Sequence, residues 1–267
     1  MKHIALRSKS LLKDRPYTTP GLGDRLHSAH MAYVYSKIHN VPVTLHLTDD
    51  KWNKSKGSVN DMKIKSWNEI LNLFPGTPVH VRAHPVENLS EGSWIQYLSN
   101  QGIDAQTYYY SDTNFPNNTQ PLDMFDATKY LGYPQIKVNG DLDLPQKFVT
   151  AQFDSNNVPY WKDDTSDSRK IPPIKVEMIL NRFKSLGYEI VFVGGDAQNK
   201  LLNGPGNLQN IAYTMSKADY HIGTDSGFFH LASICMKPSQ IKLFTRGYRS
   251  HHTSRAALKG VKIEELS

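Results

Sequence analysis

The chain has 267 residues, 39% hydrophobic and 21% charged, with a formal net charge of +6. That length buries one large core or two modest ones without disulfides or structural metals, and it contains no run of about 18 apolar residues that could span a bilayer. The single cysteine, Cys235, excludes an internal disulfide and suits a reducing compartment. The start, "MKHIALRSKSLLKDRP", is charged throughout and lacks the apolar h-region and cleavage site of a secretory signal, so a cytoplasmic protein without a membrane helix is expected. The N-x-S/T triplets at Asn53, Asn88 and Asn117 are accordingly not expected to carry glycans. The basic surplus is scattered, which reads as solvated surface ahead of an anionic ligand or lipid face.

Short β-rich runs alternate with helix-length amphipathic stretches, the pattern of parallel sheets covered by helices, so the fold class is α/β. In the first half, strands are predicted at "HIAL", "VPVTLHL", "PVHVRAH" and "TYYY". Helices are predicted over "DRLHSAHMAYVYSKIHN", parts of Met62 to Phe74, Ser93 to Gln101 and Leu122 to Leu131. Leu26, Ala29, Tyr33 and Ile38 give the first helix its spacing, and Asn40-Val41-Pro42 ends it. The Pro and Gly signals of "YPQIKVNGDLDLPQ" mark a passage between two lobes, 1–145 and 146–267, with the boundary near Pro145. The second half restarts with strand "KFVTAQF" and a helix from Pro173 to Leu186 closed by Gly187. It continues with "YEIVFVGG", a helix over Leu208 to Lys217, "DYHIG", a helix after Asp225, and "IKLF". Two such lobes imply a cleft, with ligands gathered at the carboxyl ends of strands.

Two polar clusters stand at predicted strand-to-helix passages. In "GTDSGFFHLASI", Asp225 or Ser226 can cap the new helix, and Gly227 lets another group approach the backbone. The N–H groups of the first turn and the helix dipole favour an anion such as a diphosphate there. His230, four residues after Ser226, lies on the same face and can donate to a phosphate oxygen. Capping and packing alone also account for these residues. In "TTPGLGDRLHSAHMA", Asp24 enters a helix at its first position or cap behind a glycine-rich turn. It is a cap, or a carboxylate placed to accept a proton from a bound hydroxyl.

Together "GDRLHSAHMA", "FVGGDAQ" and "GTDSGFFHLASICMKP" resemble, in order, the motifs of the heptosyltransferase-type glycosyltransferases, the family 9-like enzymes of GT-B fold. The resemblance covers about a quarter of the chain. It implies two Rossmann-like lobes with parallel sheets facing a central cleft, the N-terminal lobe binding the acceptor and the C-terminal lobe the nucleotide sugar. The chain is short for the family, which implies a trimmed N-terminal lobe. Asp24, after Gly23, would be the general base. Thr224, Asp225, Ser226, Gly227 and His230 would form the nucleotide-diphosphate site, with Gly194, Gly195 and Asp196 beside it. The family's Lys-x-Trp-Pro stretch has its nearest match in "SRKIPP", so Arg169 or Lys170 would supply the phosphate-binding charge, and Ile171 stands where Trp is expected.

The implied reaction is an inverting, metal-independent transfer of a sugar to a glycan, lipid-linked or protein acceptor. It needs no cofactor beyond the nucleotide-sugar co-substrate, and peripheral membrane contact is compatible with it. A sugar-nucleotide epimerase and a noncatalytic nucleotide-sugar-binding protein use the same features. Nucleic-acid binding would need a basic stripe interleaved with aromatics, which is missing. The triplet Asp141-Leu142-Asp143 imitates an Asp-x-Asp metal motif but falls in the expected linker, so no metal role is assigned to it. His251 and His252 are adjacent and belong to a polar stretch. Gly194-Gly195-Asp196 lacks the third glycine of a dinucleotide fingerprint.

Overall fold

Two all-parallel sheets organise the residues described by the computed structural model, 1–7, 21–49, 67–76, 78–87, 90–109, 124–154, 160–161, 170–246 and 256–266. The chain divides into two compact units, Met1–Gln135 and Ile136–Ser267. The division comes before Pro145 because the connecting segment is already tied into the second unit. The N–H groups of Lys137 and Asn139 donate to the side chains of Gln209 and Asn210 at 3.2 and 2.8 Å.

In the first unit the strands are β1 (Lys2–Arg7), β2 (Val43–Asp49), β3 (Val79–Glu87) and β4 (Ala105–Tyr109), in the order β3-β2-β1-β4. Helix α1 (Leu22–His39) follows β1, α2 (Glu91–Ser99) precedes β4, and α3 (Met124–Leu131) packs on α1. A further helical segment occupies 67–71 with Trp67 and Ile70 buried. Helix α1 starts two residues before Asp24, at Leu22, and ends where Asn40 takes a left-handed φ of 51°. Leu26, Ala29 and Tyr33 are buried, as their spacing requires, but Ile38 in the last turn is exposed. Helix α2 begins earlier than Ser93 because Ser90 caps it, accepting the Ser93 N–H at 3.2 Å.

Three histidines cross the first sheet. His3 Nδ1 lies 3.0 Å from His46 Nε2, and His46 Nδ1 lies 2.9 Å from His84 Nε2. Burial first, then the neighbouring His84, His3 and Arg82, pushes His46 down to about 3. The file is therefore a chain of neutral rings that satisfy one another inside a sheet.

In the second unit the strands are β5 (Phe148–Gln152), β6 (Glu189–Phe192), β7 (Tyr220–Gly223), β8 (Ile241–Thr245) and β9 (Lys262–Glu265), in the order β6-β5-β7-β8-β9. The helices are α4 (Pro173–Ser185), α5 (Leu208–Lys217) and α6 (Gly227–Cys235). Val176, Ile179, Leu180 and Phe183 form the buried face of α4 at helical spacing and join Val149, Ala151, Phe153, Ile171 and Ile222 in one core. Each of these Val, Leu, Ile and Phe side chains contributes about 1.5–3 kcal/mol by leaving water. Helix α4 stops at Gly187, whose φ of 79° suits only glycine without strain. Among the described residues no helix is long and apolar enough to cross a membrane.

Candidate functional site

The second sheet changes direction at β5, which has β6 on one side and β7 on the other. Open α/β sheets hold ligands outside the carboxyl ends of their strands at such a point. Gln152 ends β5 and pairs with Gly223, which ends β7. A Cβ on residue 223 would strike the Gln152 carbonyl oxygen, so the two strand ends meet this closely only because Gly223 has no side chain. The Thr224 N–H then donates to the same carbonyl at 3.3 Å.

Ser226 caps α6, its Oγ accepting the Phe228 and Phe229 N–H groups at 3.2 and 3.5 Å. The Ser226 hydroxyl donates to Gln152 Oε1, and Gln152 Nε2 donates to Asp154 Oδ1 at 2.6 Å and to the Asp154 carbonyl at 2.7 Å. Ser226, Gly227 and Phe228 are the partly exposed part of this tip, while Thr224, Asp225 and His230 are buried. The His230 ring lies 5.2 Å from that of Phe229.

Gly194–Asp196 forms a single 3₁₀ turn after β6. Gly194 has φ 73°, and a Cβ there would meet the Phe228 ring at 2.6 Å, while one on Gly195 would meet Asp154 Oδ2 at 2.9 Å. Both glycines thus allow the turn to close over Asp154 and the start of α6. Asp196 ties the turn to β5: Oδ2 accepts the Phe153 and Asp154 N–H groups at 2.6 and 2.8 Å, and Oδ1 accepts the Tyr160 N–H at 3.0 Å. Burial, with the nearby Asp154 charge, pushes Asp196 up to about 6 against those backbone donors. Asp154 is likewise raised by burial, opposed by Gln152 and the Gly195 N–H.

Lys170 is buried, and its carbonyl accepts from Arg246 Nη1 at 3.3 Å. Ile171, standing at the family's tryptophan position, is a core residue. Arg169, His251, His252 and all three N-x-S/T asparagines lie outside the described residues. In the first unit Asp24 occupies the third helical position of α1, and its Oδ2 accepts the Gly21 N–H at 3.0 Å. It makes the carboxylate half of a capping box, with Gly21 having no side chain to make the other half. Gly23 and Asp24 are partly exposed. Among the described residues no group of His, Cys, Asp or Glu is arranged to hold a metal ion; Asp141 and Asp143 are both exposed, and Cys235 is buried with its thiol pushed up.

Sequence reasoning found the Gly-Gly turn and the α6 start but not Gln152, Asp154 or Phe228. Alternation along "FVTAQF" does place Thr150 and Gln152 on one face. Nothing local links Gln152 to Ser226, which lies 74 positions away.

No family model matches the chain, and no curated protein matches it in sequence. Among solved structures, the ADP-heptose lipopolysaccharide heptosyltransferase II of E. coli is similar with a TM-score of 0.53 at 10% identity, over 100% of this chain and 90% of that one. The chain has the heptosyltransferase fold. Its two parallel-sheet units are those of the GT-B type. The iron-containing dodecameric glycosyltransferase TibC of enterotoxigenic E. coli gives a TM-score of 0.48 at 15% identity, over 91% of this chain. The chain spans 59% of TibC's length. A family 9 glycosyl transferase of Veillonella parvula gives 0.47 at 16% identity, over 99% of this chain and 86% of that one.

Proposed function

We propose that the chain is an inverting glycosyltransferase that moves a sugar from a nucleotide-diphosphate donor to an acceptor hydroxyl. The observation that carries this reading is the Ser226-capped tip of α6, open at Ser226–Phe228 and set at the β5/β7 switch point of a heptosyltransferase fold. A helix start offers unpaired N–H groups and a positive dipole end, which together favour a diphosphate. The donor class follows from heptosyltransferase II, which is named for ADP-heptose.

In this reading the acceptor oxygen attacks the anomeric carbon on the face opposite the diphosphate. The new C–O bond forms as the bond to the β-phosphate oxygen breaks, through an oxocarbenium-like transition state. Asp24 takes the acceptor proton. The electron pair leaves on the phosphate, where the Gly227 N–H, His230, and Lys170 or Arg169 offset the charge without a metal ion. Gly194, Gly195 and Thr224 line the approach to the phosphates, and Asp196 holds the turn that carries the glycines. The acceptor is a glycan, a lipid-linked sugar or a protein, and no cofactor takes part.

A thermal-shift series with ADP, UDP, GDP, CMP and their sugars identifies the donor, since a ligand bound to the native state raises its melting point. With that donor, Asp24→Asn is expected to keep binding and lose transfer at least a hundredfold, on the order of the loss for a removed catalytic group. Undiminished transfer would remove Asp24 from the mechanism, and loss of activity on chelation would remove the metal-free step. One observation favours a second reading, a nucleotide-sugar-binding protein without turnover: the Asp24 carboxylate already serves the Gly21 N–H as a helix cap. Donor binding with no transfer to any acceptor would select it.

A further inference from the structure

The hydrogen-bond chain behind α6 has a fixed polarity. Gln152 Nε2 faces the Asp154 backbone carbonyl at 2.7 Å as well as Asp154 Oδ1 at 2.6 Å. A backbone carbonyl only accepts, so the amide nitrogen must sit on that side whatever the protonation of Asp154. Gln152 Oε1 must then face Ser226, and an amide oxygen only accepts. The Ser226 hydroxyl has one proton, and it is drawn inward to Gln152. Its oxygen is left to receive the Phe228 and Phe229 N–H groups. Gln152 is 1% exposed, so no water competes for either end of its amide.

We propose that Gln152 is the positioning residue of the α6 tip: it holds Ser226 as a fixed cap, so that the bound diphosphate takes its hydrogen bond from the Gly227 N–H and not from the Ser226 hydroxyl. The proposal rests on the reading of that tip as the donor site. Gly227 supplies that bond because the first helical N–H has no intrahelical acceptor and the Phe228 and Phe229 N–H groups are turned to Ser226. Asp154 anchors the far end of the chain, and Gly195, which must lack a Cβ to pass its carboxylate, keeps that anchor packed. A serine that is free to rotate would let the first turn of α6 fray, and the anion would meet a Gly227 N–H that is no longer aimed.

The test is a double-mutant cycle on ADP affinity by calorimetry, below the melting point of every variant, with Gln152→Leu, Ser226→Ala and the double variant. Each single change is expected to weaken ADP about tenfold, the worth of one hydrogen bond, and the double variant no more than the worse single one. Ser226→Thr, which keeps the oxygen, is expected to bind like the unaltered protein. Losses that multiply would overturn the proposal. So would a loss in Ser226→Ala with normal binding in Gln152→Leu, the mark of a hydroxyl that itself donates to phosphate. A purely structural role for Gln152 lowers the melting point without changing the affinity of the folded protein, and that result also rejects it. Amide exchange in the ligand-free protein reads the cap separately. Faster exchange at Phe228 and Phe229 in Gln152→Leu supports the proposal, and unchanged exchange overturns it. Failure of the unaltered protein to bind ADP, UDP or GDP contradicts the donor-site reading itself, and the exchange result then decides the positioning role alone.

Discussion

In the first sheet a file of histidines runs across the strands, from the half-buried His3 on β1 to the buried His46 on β2 and His84 on β3. In the second a buried pair, Thr150 on β5 and His221 on β7, also crosses the strands at 3.1 Å, but a further group gathers at the carboxyl edge, where Gln152, Asp154, Asp196 and Ser226 bond to a turn and a helix start. Both arrangements satisfy buried polar groups, but with different consequences. The rings of the first file bond to one another, and burial holds their pKa values down. Groups at a strand end also meet backbone N–H donors, which an incoming anion can share. A polar file through a sheet thus closes on neighbouring strands, whereas one that leaves its edge ends at a helix start.

The comparison breaks most strongly at Gly223. Its replacement by alanine drives a methyl into the Gln152 carbonyl and is expected to cost about 3 kcal/mol, the upper part of the range for overpacking. Amide exchange should rise in β5, β7 and α6 while β1–β4 keep their protection. Equal loosening of both sheets would show that the second has no separate weak point.

Acid sharpens it next. Burial holds His46 down to about 3 in the folded chain against an ordinary 6.5, so its contribution is complete above 6.5 and is lost as pH falls towards 3. Taking pH from 6.5 to 4.5 should cost the first sheet about 2 kcal/mol from this group. In the second unit His221, also pushed down to about 3 by burial, weakens the fold in the same direction. Asp196, raised to about 6, opposes it: its contribution is present below 3.8 and lost as pH rises through 6. Acid should therefore loosen β1–β3 before β5–β7 in pH-stepped exchange. Simultaneous loosening would deny that the carboxyls compensate. The smallest effect is Asp196→Asn at neutral pH, about 1 kcal/mol, because an amide nitrogen replaces one acceptor for the Phe153, Asp154 and Tyr160 N–H groups. The same change should abolish the Asp196 slope between pH 4 and 6 in a denaturant series.

Eight of the nine strands among the described residues were legible from β-rich runs, since "VPVTLHL" and "YEIVFVGG" carry their burial in their composition. β9 was not, because Lys262–Glu265 is a charged edge strand held by pairing to β8 and not by its own pattern. Pro172-Pro173 and Gly187 marked both ends of α4 through backbone constraints that are local. The start of α1 was displaced, since Gly21 and not Asp24 holds the cap position. At the site, the Ser226 cap of α6 was readable, as capping is a local property of the chain. Gln152 and Asp154 were not readable, because their roles arise only when the sheet brings β5 against β7.

The proposed donor site requires the tip of α6 to take a nucleoside diphosphate. Amide exchange over the whole chain, with and without whichever nucleoside diphosphate gives the largest thermal shift, tests that directly. Protection is predicted at Gly223 to His230 and across Gly194–Asp196. Binding that leaves both segments unprotected, or that protects only residues of the first unit, would contradict it.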